Sequence, residues 1–115
     1  MTKLEDAPEG VREFIEVTHR KDTVGFLDLF TEDAVIDDWG NLFEGREAIR
    51  GWNFTDNIGV RVRYELEDVV VEGERTIVTV TVTGGGFNGT STLIFTYDGD
   101  LISRLEIPAD PDYRP

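Results

Sequence analysis

The chain has 115 residues, 39% of them hydrophobic and 10% aromatic, which is enough apolar material for one core and too little length for two ordinary domains. It contains no cysteine, so disulfide frameworks, thiolate zinc sites, iron–sulfur clusters and cysteine nucleophiles are excluded. Lys and Arg number 11 against 24 Asp and Glu, a formal charge of -13 spread over both halves, which disfavours nucleic acid and anionic membranes as partners because both need clustered cations.

The start, Met1 to Asp6, carries neither the basic opening nor the apolar stretch of a secretory signal. No apolar run approaches the ~18 residues of a membrane span, so a cytoplasmic location is expected. Asp6-Ala7-Pro8-Glu9 places a capping side chain, an early proline and a glutamate where a helix should begin. Val11, Phe14, Ile15 and Thr18 follow at i, i+3, i+4 and i+7, and predict a helix from Pro8 to Arg20 with one buried stripe. Asp22 or Thr23 can cap a short second helix carrying Val24, Phe26, Leu27 and Phe30. Ala34 to Trp39 reads as a short strand, and Gly45-Arg46-Glu47 opens a third helix whose Ile49 and Trp52 face inward before Gly59 ends it.

From Val60 the period changes to two. Val60, Val62, Tyr64 and Leu66 alternate with Arg61, Arg63, Glu65 and Glu67, the pattern of a half-buried strand. Glu72-Gly73-Glu74 marks a turn, Thr76 to Thr83 alternates Thr with Val or Ile, and Gly84-Gly85-Gly86 marks a turn or bulge. A strand from Phe87 to Tyr97 then returns through the Asp98-Gly99 hairpin signal into Leu101 to Ile107. Pro108, Pro111 and Pro115 make 108–115 a tail. Helices first and a hairpin-linked meander afterwards describe one α+β domain over 1–115, its core about 8–107, with a strongly bent antiparallel sheet.

Phe30-Thr31-Glu32-Asp33-Ala34-Val35-Ile36-Asp37-Asp38, Phe43-Glu44-Gly45-Arg46-Glu47-Ala48-Ile49 and Val69 to Arg75, in this order and spacing, resemble the SnoaL-like branch of the nuclear transport factor 2-like superfamily over about Val11 to Ile107. The resemblance implies a cone-shaped, strongly curved antiparallel sheet wrapped around the N-terminal helices, with a small ligand held inside. It also implies relatives that range from isomerases, cyclases and hydrolases to proteins without chemistry, so fold alone does not give function. Asp38 matches the general-base aspartate of the family's steroid isomerases. Their oxyanion tyrosine and protonated aspartate match Phe14 and about Leu93, which removes the donors an enolate would need and argues against steroid isomerase activity.

Asp38 has the strand parity of Ala34 and Ile36 and should face the interior, where desolvation suits a carboxylate to general acid/base work; Asp37 should face solvent or a basic side chain. Tyr64 has inward parity and is the candidate partner hydroxyl, whose plain alternative is a buried phenol. Trp39 and Trp52 are candidate cavity walls. Phe14, Phe54 and Phe95 are candidate ligand contacts, with plain core as the alternative. His19, the only histidine, should lie at the surface of the first helix's end; Asn41, Asn88 and Ser91 read first as turn or strand-surface residues. No metal-ligand spacing occurs, and the glycine triplet lacks the lysine and helix of a phosphate loop.

These readings converge on a cofactor-independent isomerase, cyclase, hydratase or hydrolase acting on an apolar small molecule, with a non-catalytic ligand-binding or dimerisation module as the alternative. Ile77, Thr79, Thr81 and Thr83 share a nearly uncharged outer face with Thr90, Thr92, Ile94 and Thr96, and together with the resemblance predict a homodimer through that face.

Overall fold

The computed structural model describes residues 3–109, so residues 110–115 of the expected tail lie outside the described part. Helix α1 spans Glu9–His19, α2 Thr23–Leu27 and α3 Arg46–Asp56; strands β1 to β6 span Phe30–Asp38, Asn41–Glu44, Arg63–Glu72, Arg75–Thr83, Gly89–Asp98 and Leu101–Ile107. α1 buries the expected stripe of Val11, Phe14, Ile15 and Thr18, together with Val17. Its cap differs from expectation: Leu4–Asp6 forms a 3-10 turn, and Pro8 occupies the cap position without a side-chain bond. Asp22 does cap α2, its Oδ1 accepting from the Gly25 N–H at 2.9 Å. α3 ends at Asp56, with Asn57 rather than Gly59 just beyond it, and a 3-10 turn over Ile58–Val60 delays the third strand to Arg63.

The six strands form one sheet in the order β2-β1-β6-β5-β4-β3, covered by the helices on one face. Four of its pairings are antiparallel, but β1 and β6 run parallel, Ile36 beside Leu105 and Asp38 beside Ile107. This pairing joins the helical half to the meander through its last strand, an arrangement hairpin signals cannot indicate because no turn connects the two strands. Strand β2 was not expected: it is a four-residue edge strand, largely exposed, without a buried alternation. Register shifts between Leu66 and Asp68 and between Thr96 and Tyr97 bend the sheet over its helical layer.

The core is an aromatic cluster. Phe14 packs against Phe26, Tyr64 and Phe95 with ring centroids 5.5, 5.7 and 5.1 Å apart, and Phe26 continues to Phe30 at 5.1 Å and to Trp52 at 6.2 Å. Arg46, at the start of α3, donates two hydrogen bonds to the Phe30 carbonyl, at 2.6 and 3.2 Å, and so pins the helix to the first residue of β1. Among the described residues no helix is long and apolar enough to cross a membrane.

His19 departs from its expected surface role. It is half-buried, and its Nε2 accepts the backbone N–H of Tyr64 at 3.0 Å, tying the end of α1 to β3. Burial, and then the charge of Arg63, lower its pKa from the ordinary 6.5. The fold therefore favours neutral His19, whose contribution is whole above pH 6.5 and falls away as pH drops below it toward the folded value. His19→Ala should lower stability at pH 8 by about 1 kcal/mol, since the Tyr64 amide loses its acceptor. Urea unfolding at pH 8 and pH 5 checks this: the variant's deficit should shrink at the lower pH.

Candidate active site

A cavity of about 290 Å³ opens where β1 ends and β5 begins. Val60, Val62, Val82, Leu93 and Ile107 supply its apolar wall, while Asp38, Asn41, Asp56, Tyr64 and Ser91 supply polar groups. Trp39 and Phe87 line it as an edge-to-face pair with ring centroids 6.1 Å apart. Trp39 can stand there because it and Gly40 form a two-residue hairpin loop with φ of 54° and 87°, which leaves the indole 55% exposed.

Asp38 ends β1 with the parity of Ala34 and Ile36, both fully buried, and its carboxylate lines the cavity. Its Oδ2 accepts the indole N–H of Trp52 at 3.0 Å; Oδ1 has no hydrogen-bond partner among the described residues. Burial raises the Asp38 pKa, the Trp52 bond opposes that rise, and the charges of Asp56 and Asp37 add to it. Asp37 takes the opposite face, where Arg104 Nη2 lies 3.2 Å from its Oδ2 and the Gly40 N–H donates to its Oδ1 at 2.9 Å.

Tyr64 is 7% exposed and lines the cavity, but its O–H is directed away from a ligand: it donates to Asn57 Oδ1 at 2.9 Å. Asn57 Nδ2 in turn donates to Asn53 Oδ1 at 2.9 Å and Thr18 Oγ1 at 3.3 Å, closing a buried network between α1, α3 and β3. Burial and the charges of Asp38 and Asp56 push the phenol pKa upward, so the expected proton donor is held neutral and engaged.

Three expected ligand contacts lie elsewhere. Phe14 and Phe95 are fully buried against each other in the core, and neither lines the cavity. Phe54 is 74% exposed, because two residues along a helix from inward Trp52 is roughly 200° around its axis. Sequence reasoning missed Asn53, Asn57 and Asp56. Asn53 was legible, since it lies four residues after Ile49 on the buried stripe of α3; Asn57 extends that spacing past the helix end. Ser91, read as surface, has the parity of buried Leu93 and Phe95 and also turns inward. Among the described residues no group of three or more His, Asp or Glu is arranged to hold a metal ion.

Residues 11–105 match the SnoaL-like domain. Among curated proteins none matches the chain. A Sinorhizobium meliloti protein provisionally named a polyketide cyclase is 29% identical, with a TM-score of 0.83 over 92% of this chain and 99% of that one. A Kribbella flavida protein provisionally named a ketosteroid isomerase is 17% identical, with a TM-score of 0.75 over 92% and 78% of the two chains. A Mycobacterium tuberculosis protein in complex with estradiol-17beta-hemisuccinate is also 17% identical, with a TM-score of 0.79 over 88% and 91%. The last two similarities show the fold alone.

Because the Asp38 pKa is raised, the fold favours its protonated form: that stability is present below the ordinary 3.8 and lost as pH rises through the folded value. Asp38→Asn should therefore unfold at a higher temperature than the parent at pH 7, with the advantage closing toward pH 3. Trp52→Phe removes the donor that opposes the rise. An NMR carboxylate titration should find the Asp38 pKa higher in that variant than in the parent.

Proposed function

The chain belongs to the SnoaL-like domain family, and on that premise we propose that it is a cofactor-independent enzyme in which Asp38 moves a proton on a small, largely apolar molecule held in the cavity. The observation that carries this reading is the state of one carboxylate: partly desolvated, fixed through Oδ2 by the Trp52 indole, and free at Oδ1. Desolvation strengthens it as a base, and the indole holds one rotamer so that Oδ1 meets a bound C–H or O–H in a constant geometry. Asp38 takes the proton through Oδ1 and returns it from the resulting carboxylic acid to another atom of the same molecule, the step common to isomerisation, cyclisation and elimination. Trp39 and Trp52 wall the bound molecule. Tyr64 shapes the cavity and presents a phenolic oxygen whose proton is committed to Asn57. The names of the Sinorhizobium and Kribbella proteins agree with chemistry of this class, and the Mycobacterium complex with a ligand of this kind.

The alternative is a cavity that binds without reacting, favoured by apolar Phe14 and Leu93 and by the engaged Tyr64 proton. Deuterium uptake at the α-carbon of bound ketones in D2O separates the two. The parent should catalyse exchange, and Asp38→Asn should slow it roughly a hundredfold or more while leaving ketone binding intact. Exchange at the buffer rate with intact binding assigns the cavity to binding alone.

The same reading includes a cytoplasmic homodimer formed through the outer face of β4 and β5. Ile77 opposes Ile94, Thr79 opposes Thr92 and Thr81 opposes Thr90, a strip of uncharged side chains bordered by Glu65, Asp68 and Glu106 on a chain of charge -13. Thr92 and Ile94 are already buried within one chain, so the area available to a partner comes from the surrounding threonines and from Ile77 and half-exposed Val70. Sedimentation equilibrium at tens of micromolar should give twice the mass of one chain; a monomer alone overturns the dimer.

A further inference from the structure

The hydroxyl of Ser91 is a cavity group that the site described so far does not use. Ser91 lies on β5 opposite Val80, on the inward face with Leu93 and Phe95, and is only 8% exposed. Other buried polar side chains near this end of the fold are bonded to one another: Thr18, Asn53 and Asn57 form one network with Tyr64. Ser91 lines the cavity, yet its hydroxyl has no hydrogen-bond partner among the described residues. Its Oγ opens onto the cavity space and so can donate to a molecule held there.

Apart from the indole of the exposed Trp39, the other side-chain donors of the lining already have acceptors. The Trp52 N–H goes to Asp38, the Tyr64 O–H to Asn57, and the Asn41 amide turns back to the Asp38 carbonyl at 3.1 Å. Ser91 is thus the cavity hydroxyl with a proton to offer a bound molecule. The lining also fixes the charge of that molecule: it includes Asp38 and Asp56 but no Lys, Arg or His, so an anion would be repelled. A cation would pair with Asp38 and silence it as a base.

We infer that Ser91 donates the hydrogen bond that anchors the carbonyl oxygen of an uncharged ketone in the cavity, leaving an adjacent C–H to Asp38. This rests on the general-base reading for its catalytic meaning, although the anchoring bond itself does not. β6 lies between β1 and β5, and the register sets Asp38 level with Leu93, so Ser91 is about 10 Å across the sheet and about 7 Å along it before curvature and the inward side chains close the gap. Ile107 and Leu93 form the apolar floor between them. The carbonyl oxygen at Ser91 and the α-C–H beside it bridge the closed-up interval, and the rest of a molecule of about two fused rings lies against that floor.

The chain's two tryptophans, Trp39 and Trp52, both line the cavity, so quenching of intrinsic fluorescence reports occupancy directly. The probes are α-tetralone, its hydrocarbon tetralin, and tetralin carboxylate. The parent should bind the ketone roughly three- to tenfold more tightly than the hydrocarbon, the worth of one neutral hydrogen bond, and the carboxylate least well. Ser91→Ala should bring ketone affinity down to that of tetralin and leave tetralin affinity unchanged, the latter showing that fold and cavity survive. Equal affinity of the parent for ketone and hydrocarbon, binding of neither, or an undiminished preference in Ser91→Ala overturns the assignment. Asp38→Asn keeps the two readings apart. It should retain the ketone preference while losing deuterium exchange. A preference that depends on Ser91, accompanied by exchange that does not depend on Asp38, would uphold the anchor and overturn the base.

Discussion

The hydrogen bond from the Trp52 indole to Asp38 is the contact on which the site's arrangement depends. It links α3 to the last residue of β1, and it does so with groups that would otherwise be poorly placed. The indole N–H of Trp52, a residue only 2% exposed, needs an acceptor, and a partly desolvated carboxylate needs a donor. Satisfying both with one bond fixes the carboxylate orientation without neutralising it, as an arginine would. The apolar part of Trp52 meanwhile stacks on Phe26, so the orienting donor is held by the core itself.

The same economy governs the opposite wall. Tyr64 places its ring against Phe14 and its hydroxyl on Asn57, while its backbone N–H is taken up by His19. One residue of β3 therefore meets α1 twice and the end of α3 once. The Asn53–Asn57–Thr18 network satisfies these buried polar groups internally, and so lets a polar seam run through an otherwise apolar layer. A phenol bound in this way holds its proton, which leaves the carboxylates of Asp38 and Asp56 as the other ionisable groups of the cavity.

Electrostatics sharpen this division of labour. Asp37 and Asp38 are adjacent carboxylates on opposite faces of one strand, and their surroundings differ accordingly. Asp37 has Arg104 and a backbone amide, whereas Asp38 has an indole and a second acidic group, Asp56, on the same cavity. Strand parity separates an ion-paired carboxylate from one that faces the cavity, and a one-residue slip in the β1–β6 register would exchange them.

Local sequence signals carried most of the elements and the faces they present. The stripe of α1, the inward parity of Asp38 and Tyr64, the outward parity of Asp37 and the Asp98-Gly99 turn are all local, set by periods of 3.6 and 2 and by turn chemistry. Periodicity also carried more than was taken from it: Asn53 and Ser91 sit at inward positions, although polarity argued for the surface. Which inward residues meet was settled by long-range packing. The parallel β1–β6 pair and the edge strand β2 follow from long-range pairing, Phe14 and Phe95 are sealed in the core by each other, and His19 is drawn inward by an amide 45 residues away. The physical reason is that a side chain's face depends on its own backbone, whereas its partners depend on where distant segments close. Hydrogen-bond commitments, which leave Tyr64 engaged and Ser91 free, exist only after that closure.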